Sequence, residues 1–455
     1  RSISAILARL LSPDEFGVMT IVITFTSFMH ILSEMGLGPA VVQFRDLDKS
    51  DISSLFLFSL LLGGVFGTGF VGLSFIISIL YEDTIYITTS PLMFFLVFLS
   101  TAVVVPSGIL RREQKFKIVG ITEVVSHVIA GAIAILLAYL GAGIYALLVQ
   151  QILSRLTSLI ILFRFSKVEL TKAFSWRPIR KVFSFSAYQF GFNTINYFAR
   201  NLDKLLAGRF LGSGLLGIYD RAYRLMLYPV QYLTFVITPV LHPVFSEYQN
   251  NKEVMLNTYM KLLKVLAIIG FPITAFLIGT GEEIILLIYG NQWQEAIPVF
   301  RILSICIGFQ ILMSTSGSVY QAAGRTDLLF KSGLLSTSTI VTGVLVGLNF
   351  GIAAMAAGVS VAMSFNFFPV FLILFKGVFG TGFGAFIRML TKPNIIAFTI
   401  LGSLFLLDSI LHNTHFLVSL ALKLITALLV FALGIKFLGL SSELKKYLPR
   451  RKKSK

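Results

Sequence analysis

Asn193, Asn196, Tyr197, Arg200, Asp203 and Lys204 recur at intervals of three and four residues, the spacing that gathers side chains on one face of an α-helix. Asp220, Tyr223, Arg224, Tyr228 and Gln231 repeat the pattern beyond the Gly212-Ser213-Gly214 link, with Arg221 one step around. Guanidinium forks match phosphate oxygens two at a time and an ammonium adds a point charge, so Arg200, Lys204, Arg221 and Arg224 form a cationic set suited to an anionic phosphate ligand. Asn193, Asn196, Tyr197, Tyr223, Tyr228 and Gln231 would line the same pocket. Asp203 and Asp220 lie one helical turn from these cations, where they balance charge or take up the protons or cations that drive a transport cycle. The competing reading is a closed network of ion pairs whose long side chains reach the headgroups.

The amino-terminal part offers fewer such groups. Its second helix carries no charge until His30 and Glu34, at its cytoplasmic end, and Glu123, His127 and Arg155 fall in the fifth and sixth helices. Glu123 and His127 are spaced i, i+4 and can relay a proton, although a satisfied hydrogen bond between helices is the commoner explanation for such a pair. Lys423 and Arg301 read as isolated interface or snorkelling residues with no part in transport. No phosphate-binding glycine loop, His-Glu-x-x-His pattern, metal-ligand cluster or large outer loop with a catalytic set is present, so the chain reads as a non-enzyme without metal or cofactor. The single cysteine, Cys306, forms no intrachain disulfide.

These polar faces sit in a chain that is otherwise apolar. Of 455 residues, 56% are hydrophobic and 13% charged, and the mean hydropathy is +0.86; a water-soluble core of this length cannot hide so much apolar surface. Apolar runs predict helices over 15–35, 52–81, 88–110, 117–141, 143–164, 182–210, 214–246, 262–289, 296–322, 327–350, 351–376, 393–411 and 414–438. Ile3 to Leu11 is too short to cross a bilayer and reads as the end of a first helix that starts before Arg1, which makes about fourteen. Pro229 and Pro239 are candidate bending points.

The net charge is +17, and it is carried by alternate loops. One set holds Arg45 and Lys49, Arg111 to Lys117, Arg164 to Lys181, Lys252, Lys261, Arg325, Lys331, Lys376, Arg388, Lys392 and the tail from Lys445; the other holds acidic residues such as Glu82, Asp83 and Glu295. The basic loops are expected in the cytoplasm with both termini, so the charge calls for no nucleic acid. Linkers over 165–181 and 247–261 mix aromatic and basic residues and are expected to lie along the headgroups as amphipathic helices. Arg9-Leu10-Leu11 leading to Phe16-Gly17 recurs as Arg209-Phe210-Leu211 leading to Leu216-Gly217, and Gly143-Ile144 recurs as Gly351-Ile352. Six helices separate the copies, so two parallel halves are expected. The divisions are an amino-terminal lobe over 1–164, an amphipathic linker over 165–181, a second lobe over 182–376, two added helices over 377–438 and a basic tail over 439–455.

The stretch from Asn201-Leu202-Asp203-Lys204 to Gly212, continued by Leu216-Gly217-Ile218-Tyr219-Asp220-Arg221-Ala222-Tyr223-Arg224, resembles the polysaccharide-transporter family of Wzx-like oligosaccharide flippases. Ala8-Arg9 through Pro13-Asp14-Glu15-Phe16-Gly17 is similar to that family's first turn, and Thr238-Pro239 through Pro243 to Ser246 also fits. The resemblance implies the fold of the wider multidrug, oligosaccharidyl-lipid and polysaccharide exporter superfamily: an all-α membrane protein with two six-helix lobes around a central cationic cavity and two further helices. It also implies residence in the inner membrane and movement of undecaprenyl-pyrophosphate-linked oligosaccharide to the outer leaflet, coupled to H+ or Na+, in company with polysaccharide polymerase and assembly proteins. A multidrug cation antiporter of the same fold and a membrane-embedded glycan polymerase or ligase are the alternatives; the basic stripe argues against the first and the short outer loops against the second.

Overall fold

The computed structural model describes the backbone of residues 2–34, 36–44, 46–171, 174–247, 251–411 and 414–441, with their side chains except at 2, 181–193, 195–196, 199, 235–240 and 242–244. Among the described residues the chain is all-helical. Its first ten helices are α1 (Ser2–Leu10), α2 (Pro13–Glu34), α3 (Leu37–Gln43), α4 (Lys49–Tyr81), α5 (Ile85–Thr88), α6 (Ser90–Ala102), α7 (Val104–Arg112), α8 (Phe116–Tyr139), α9 (Ile144–Ser166) and α10 (Arg177–Leu211). α11 (Ser213–Glu247) follows, then α12 (Lys252–Gly279), α13 (Gly281–Ile288), α14 (Ala296–Ser304), α15 (Ile307–Met313), α16 (Ser316–Ala322), α17 (Thr326–Leu348), α18 (Ile352–Leu374), α19 (Gly384–Ile410) and α20 (Phe416–Phe437). The chain divides into two compact units, Arg1–Gly217 and Ile218–Lys455. α10, placed with the later helices by its sequence, packs on α2 and α4 of the first unit.

Among the described residues, ten helices are long and apolar enough to cross a membrane, or eleven if α14 and the α15–α16 segment, bent by 46° at Ile305 and Cys306, count as one span. This is a multi-pass membrane protein. Of the other expected helices, α1 has nine residues, and α10 and α11, each 35 residues long, lie partly outside the residues whose side chains are described. Large apolar side chains stay outward on the spans, as with Ile79, Val128, Phe365 and Leu428, each more than half exposed to what must be lipid.

Local chemistry sets the helix starts. Ser12 and Glu15 cap α2 reciprocally, the Ser12 N–H donating to Glu15 Oε2 at 2.6 Å and the Glu15 N–H to Ser12 Oγ at 3.3 Å. Asp48 and Asp51 do the same for α4, and Asn251 Oδ1 accepts the Val254 N–H at the start of α12. α12 therefore begins at Lys252, and most of 247–261 is continuous with a span instead of forming a separate headgroup helix. The 165–181 linker differs too. Lys167 turns left-handed after α9, with φ of 51°, and the described residues up to Trp176 are not helical. Their backbone donors go to α4: Thr171 N–H reaches Ser53 Oγ at 2.9 Å and Ser175 N–H reaches Ser54 Oγ at 3.0 Å. Side-chain acceptors on a neighbouring helix replace the intrahelical bonds that an amphipathic helix would have made.

Small residues set the close contacts, as expected where lipid offers no hydrophobic drive between helices. In the second unit, a Cβ on Gly343 of α17 would overlap the Gly358 carbonyl of α18, and one on Gly358 would overlap Gly343 in return. The first unit holds a reciprocal contact between the two copies of the repeated turn. A Cβ on Gly17 would strike the Ser213 carbonyl, and one on Gly217 would strike the Pro13 carbonyl. Each glycine therefore faces the residue four positions before the other. Gly143 and Gly351, paired by the same repeat, both open their helices with positive φ, 56° and 95°.

Candidate functional site

The first unit encloses a polar cavity of about 690 Å³ between α2, α3, α6, α7, α8 and α9, whose ionisable lining is His30, Glu34, Arg111, Glu123 and Arg155. His30 and Glu34 share one face of α2 through their i, i+4 spacing. Arg111 closes α7, Glu123 lies on the second turn of α8, and Arg155 lies halfway along α9. Ser100 and Ser158 add hydroxyls to the wall. A smaller chamber of about 100 Å³ shares His30, Ser100 and Arg155 with it and continues past Ser27 and Gln151 to Ile23. Glu34 and Ile23 are eleven residues apart on one helix, so the polar path runs roughly 16 Å along α2, about half the thickness of a hydrocarbon core.

The framework around this path is satisfied internally. Thr20, Thr24 and Thr26 of α2 donate their hydroxyls to backbone carbonyls one turn back, each at 2.8 Å, and Ser33 of α2 bonds Thr101 of α6 at 2.6 Å. The cavity groups are less committed: no described residue partners His30 Nδ1, a buried atom. Two guanidinium groups and two carboxylates in one cavity make a lining without net charge when His30 is neutral. Such a set has the donors and acceptors to match a ligand carrying both phosphate and hydroxyl groups, arginine N–H groups for phosphate oxygens and carboxylates for hydroxyls.

The residues singled out on α10 and α11 behave differently from one another. Arg200 is exposed, and Asp203 and Lys204 are half-buried. Tyr197 donates its hydroxyl to the Thr24 carbonyl and stacks on Phe28 with centroids 6.0 Å apart, which ties α10 to α2. Asn193 and Asn196 lie outside the residues whose side chains are described. On α11, Asp220 is fully buried and its Oδ2 accepts from Arg224 Nε at 2.6 Å and from an Arg221 guanidinium nitrogen at 3.2 Å. One carboxylate therefore holds both arginines. Tyr289 donates to the Arg221 carbonyl at 3.4 Å, Tyr223 packs on Tyr219 with centroids 5.7 Å apart, Tyr228 is half-buried, and Gln231 is exposed. Arg200 and Lys204 belong to the first unit, Arg221 and Arg224 to the second.

Of the pair Glu123 and His127, Glu123 lines the cavity, and His127 Nδ1 lies 3.4 Å from Ser154 Oγ. Arg111 and Arg155 were not among the candidate cations. For Arg155 a signal was available: it is a lone charge between Leu147 and Leu162 in an apolar span, and such residues face cavities or partners because lipid exposure is costly. Lys423, expected to be isolated, is 1% exposed and ion-paired to Glu283 and Asp408.

Residues 6–298 match the family described as polysaccharide biosynthesis protein. The teichuronic acid biosynthesis protein TuaB of Bacillus subtilis is 26% identical over 73% of this chain and 69% of its own length. The lipopolysaccharide biosynthesis protein WzxC of Escherichia coli is also 26% identical, over 85% of this chain and 80% of its own. Among solved structures, the lipid II flippase MurJ in an inward closed conformation superposes with a TM-score of 0.70 over 96% of both chains at 16% identity. An inward-facing multidrug transporter of the MATE family gives 0.63 over 85% of this chain and 94% of its own, at 17% identity. At these identities the structural matches speak for the fold.

Proposed function

The chain belongs to the polysaccharide biosynthesis protein family, and from that premise we propose that it is a flippase for lipid-linked oligosaccharide, with undecaprenyl-pyrophosphate glycans as substrates. The observation that carries this reading is the polar cavity of the first unit. Its arginines, Arg111 and Arg155, take the pyrophosphate, while Glu34, Glu123 and the serine hydroxyls meet the sugars. The lipid tail stays in the bilayer against the apolar outer surface. The cavity's lining includes the Glu34 end of α2 together with Arg111 and Phe116 of the basic Arg111–Lys117 segment; the positive-inside tendency puts that end, and both termini, in the cytoplasm of an inner-membrane protein.

Fourteen helices, two six-helix lobes moving about a shared site and an additional pair complete the proposed architecture, with alternating access driven by H+ or Na+. Arg200, Lys204, Arg221 and Arg224 are the second cationic set in this scheme, with Asp203 and Asp220 as their counter-charges. The reciprocal Gly17 and Gly217 contact supports the parallel repeat on which such a cycle depends. The basic residues Arg200, Lys204, Arg221 and Arg224 disfavour the multidrug reading. Polysaccharide polymerase and assembly proteins are the proposed partners.

The test is translocation of a fluorescent undecaprenyl-pyrophosphate oligosaccharide in proteoliposomes, with an ion gradient imposed or collapsed and efflux of a cationic dye measured in parallel. Glycolipid movement that needs Arg155 supports the proposal. Dye efflux without glycolipid movement replaces it with the antiporter.

A further inference from the structure

In the second unit, three charged groups from three helices meet away from the lipid. Glu283 belongs to the first turn of α13, Asp408 to the last turn of α19, and Lys423 lies seven residues into α20. Lys423 is 1% exposed and Glu283 5%, whereas the side chain of Asp408 keeps 33%. Lys423 Nζ donates to Glu283 Oε1 at 2.5 Å, to Asp408 Oδ1 and to the Gly279 carbonyl at 3.0 Å, which uses all three of its hydrogens. Ser419 Oγ also donates to Glu283 Oε1, at 2.6 Å. Glu283 Oε2 is buried, and no donor among the described residues reaches it.

We propose that this cluster is a cation site that takes up one monovalent cation, a proton or sodium, at the Oε2 edge of Glu283 beside Asp408. Two carboxylates against one ammonium leave a net charge of −1 in a buried place, and Lys423 has no further hydrogen with which to offset it. A structural clasp needs only one carboxylate. A second one adds repulsion between neighbours bound to the same nitrogen, which its own bond to Lys423 offsets only in part. One bound cation removes both and supplies the partner that Oε2 lacks. The cation of α14 does not do so: Arg301 is paired with Glu282 at 3.6 Å. Asp408, at the cluster's exposed edge, is the way in. The site lies roughly 10 Å along α20 from its start, at the end of the spans away from the basic loops. Its existence does not depend on the substrate; only its use as the driving ion of transport rests on the flippase reading.

The purified full chain is treated with dicyclohexylcarbodiimide, which attacks protonated carboxyl groups in apolar surroundings, and the labelled positions are mapped by mass spectrometry from about pH 5 to about pH 9. If a proton is the ligand, labelling at Glu283 or Asp408 rises by about tenfold for each unit fall in pH on the alkaline side of its midpoint, indifferent to replacing choline with sodium. If sodium is the ligand, sodium suppresses the label at fixed pH and choline does not. Glu283→Gln abolishes the label at 283, and Asp408→Asn does so at 408. Should both positions stay unlabelled across the range in folded protein but label after denaturation, the cluster is a closed ion network and the proposal is wrong. Loss of glycolipid movement elsewhere in the protein leaves the labelling unchanged, so the two readings fail separately.

Discussion

Lys423→Met tests how the second unit holds its last two helices. Methionine fills nearly the same space, so packing is kept while the charge disappears. Glu283 and Asp408 then face each other without a counter-ion, and the Gly279 carbonyl loses its donor. Removing one partner of a buried ion pair costs about 3–5 kcal/mol, because the remaining charge stays buried and uncompensated. At about 2–4 °C per kcal/mol for a unit of this size, the expected fall in the melting temperature of the second unit is about 6–20 °C. Trp293 is a suitable reporter: it is fully buried beside α13, whereas Trp176, in the first unit, is 63% exposed. Thermal unfolding in detergent, followed by tryptophan emission, reads the change. Combining Lys423→Met with Glu283→Gln and Asp408→Asn removes every stranded charge and should restore most of the loss. A single variant that melts within about 2 °C of the parent, or a triple variant no better than the single, would show that the reasoning about stranded charge is mistaken.

Arg155→Ala removes a charge-assisted contact worth about 1.5–3 kcal/mol, so the glycolipid concentration for half-maximal transport should rise roughly tenfold to a hundredfold, with Arg155→Lys falling between. Gly17→Leu and Gly217→Leu should each destabilise the first unit by about 1–3 kcal/mol or more, measured by thermal unfolding. Their double variant should lose less than the sum, because one displacement of the two helix starts relieves both overlaps. Ser53→Ala and Ser54→Ala should each cost about 1 kcal/mol and speed hydrogen exchange at the Thr171 and Ser175 amides respectively. Arg209→Ala breaks a 2.8 Å pair with Glu82, whose side chain is 75% exposed, and should change stability by less than about 1 kcal/mol.

Much of the helical plan was legible because span length is a property of a single segment. Apolar runs of twenty residues or more mark where backbone polar groups must be satisfied internally, whatever the neighbours do. The departures occur where a partner decided the matter. The described residues from Lys167 to Trp176 are not helical; Ser53 and Ser54, more than a hundred residues earlier, accept the Thr171 and Ser175 amide hydrogens. The start of α12 extended into the expected linker because a cap at Asn251 suffices to nucleate it.

The same distinction holds for the sites. The polar faces of α10 and α11 follow from spacing alone, as does the pairing of Asp220 with Arg224 at i, i+4. That Asp220 holds Arg221 as well, and that Lys423 is met by carboxylates 15 residues before it and 140 before it, required the chain to be folded. The cavity was hidden for the same reason: His30, Glu34, Arg111, Glu123 and Arg155 come from four helices, and their spacing along the chain does not bring those helices together. Sequence by itself determined that this protein crosses a membrane many times and which family it resembles, since those follow from composition, period and local motif. Tertiary structure alone decided which buried charges meet, because the cost of placing a charge in lipid is relieved only by partners that packing brings within a few ångströms.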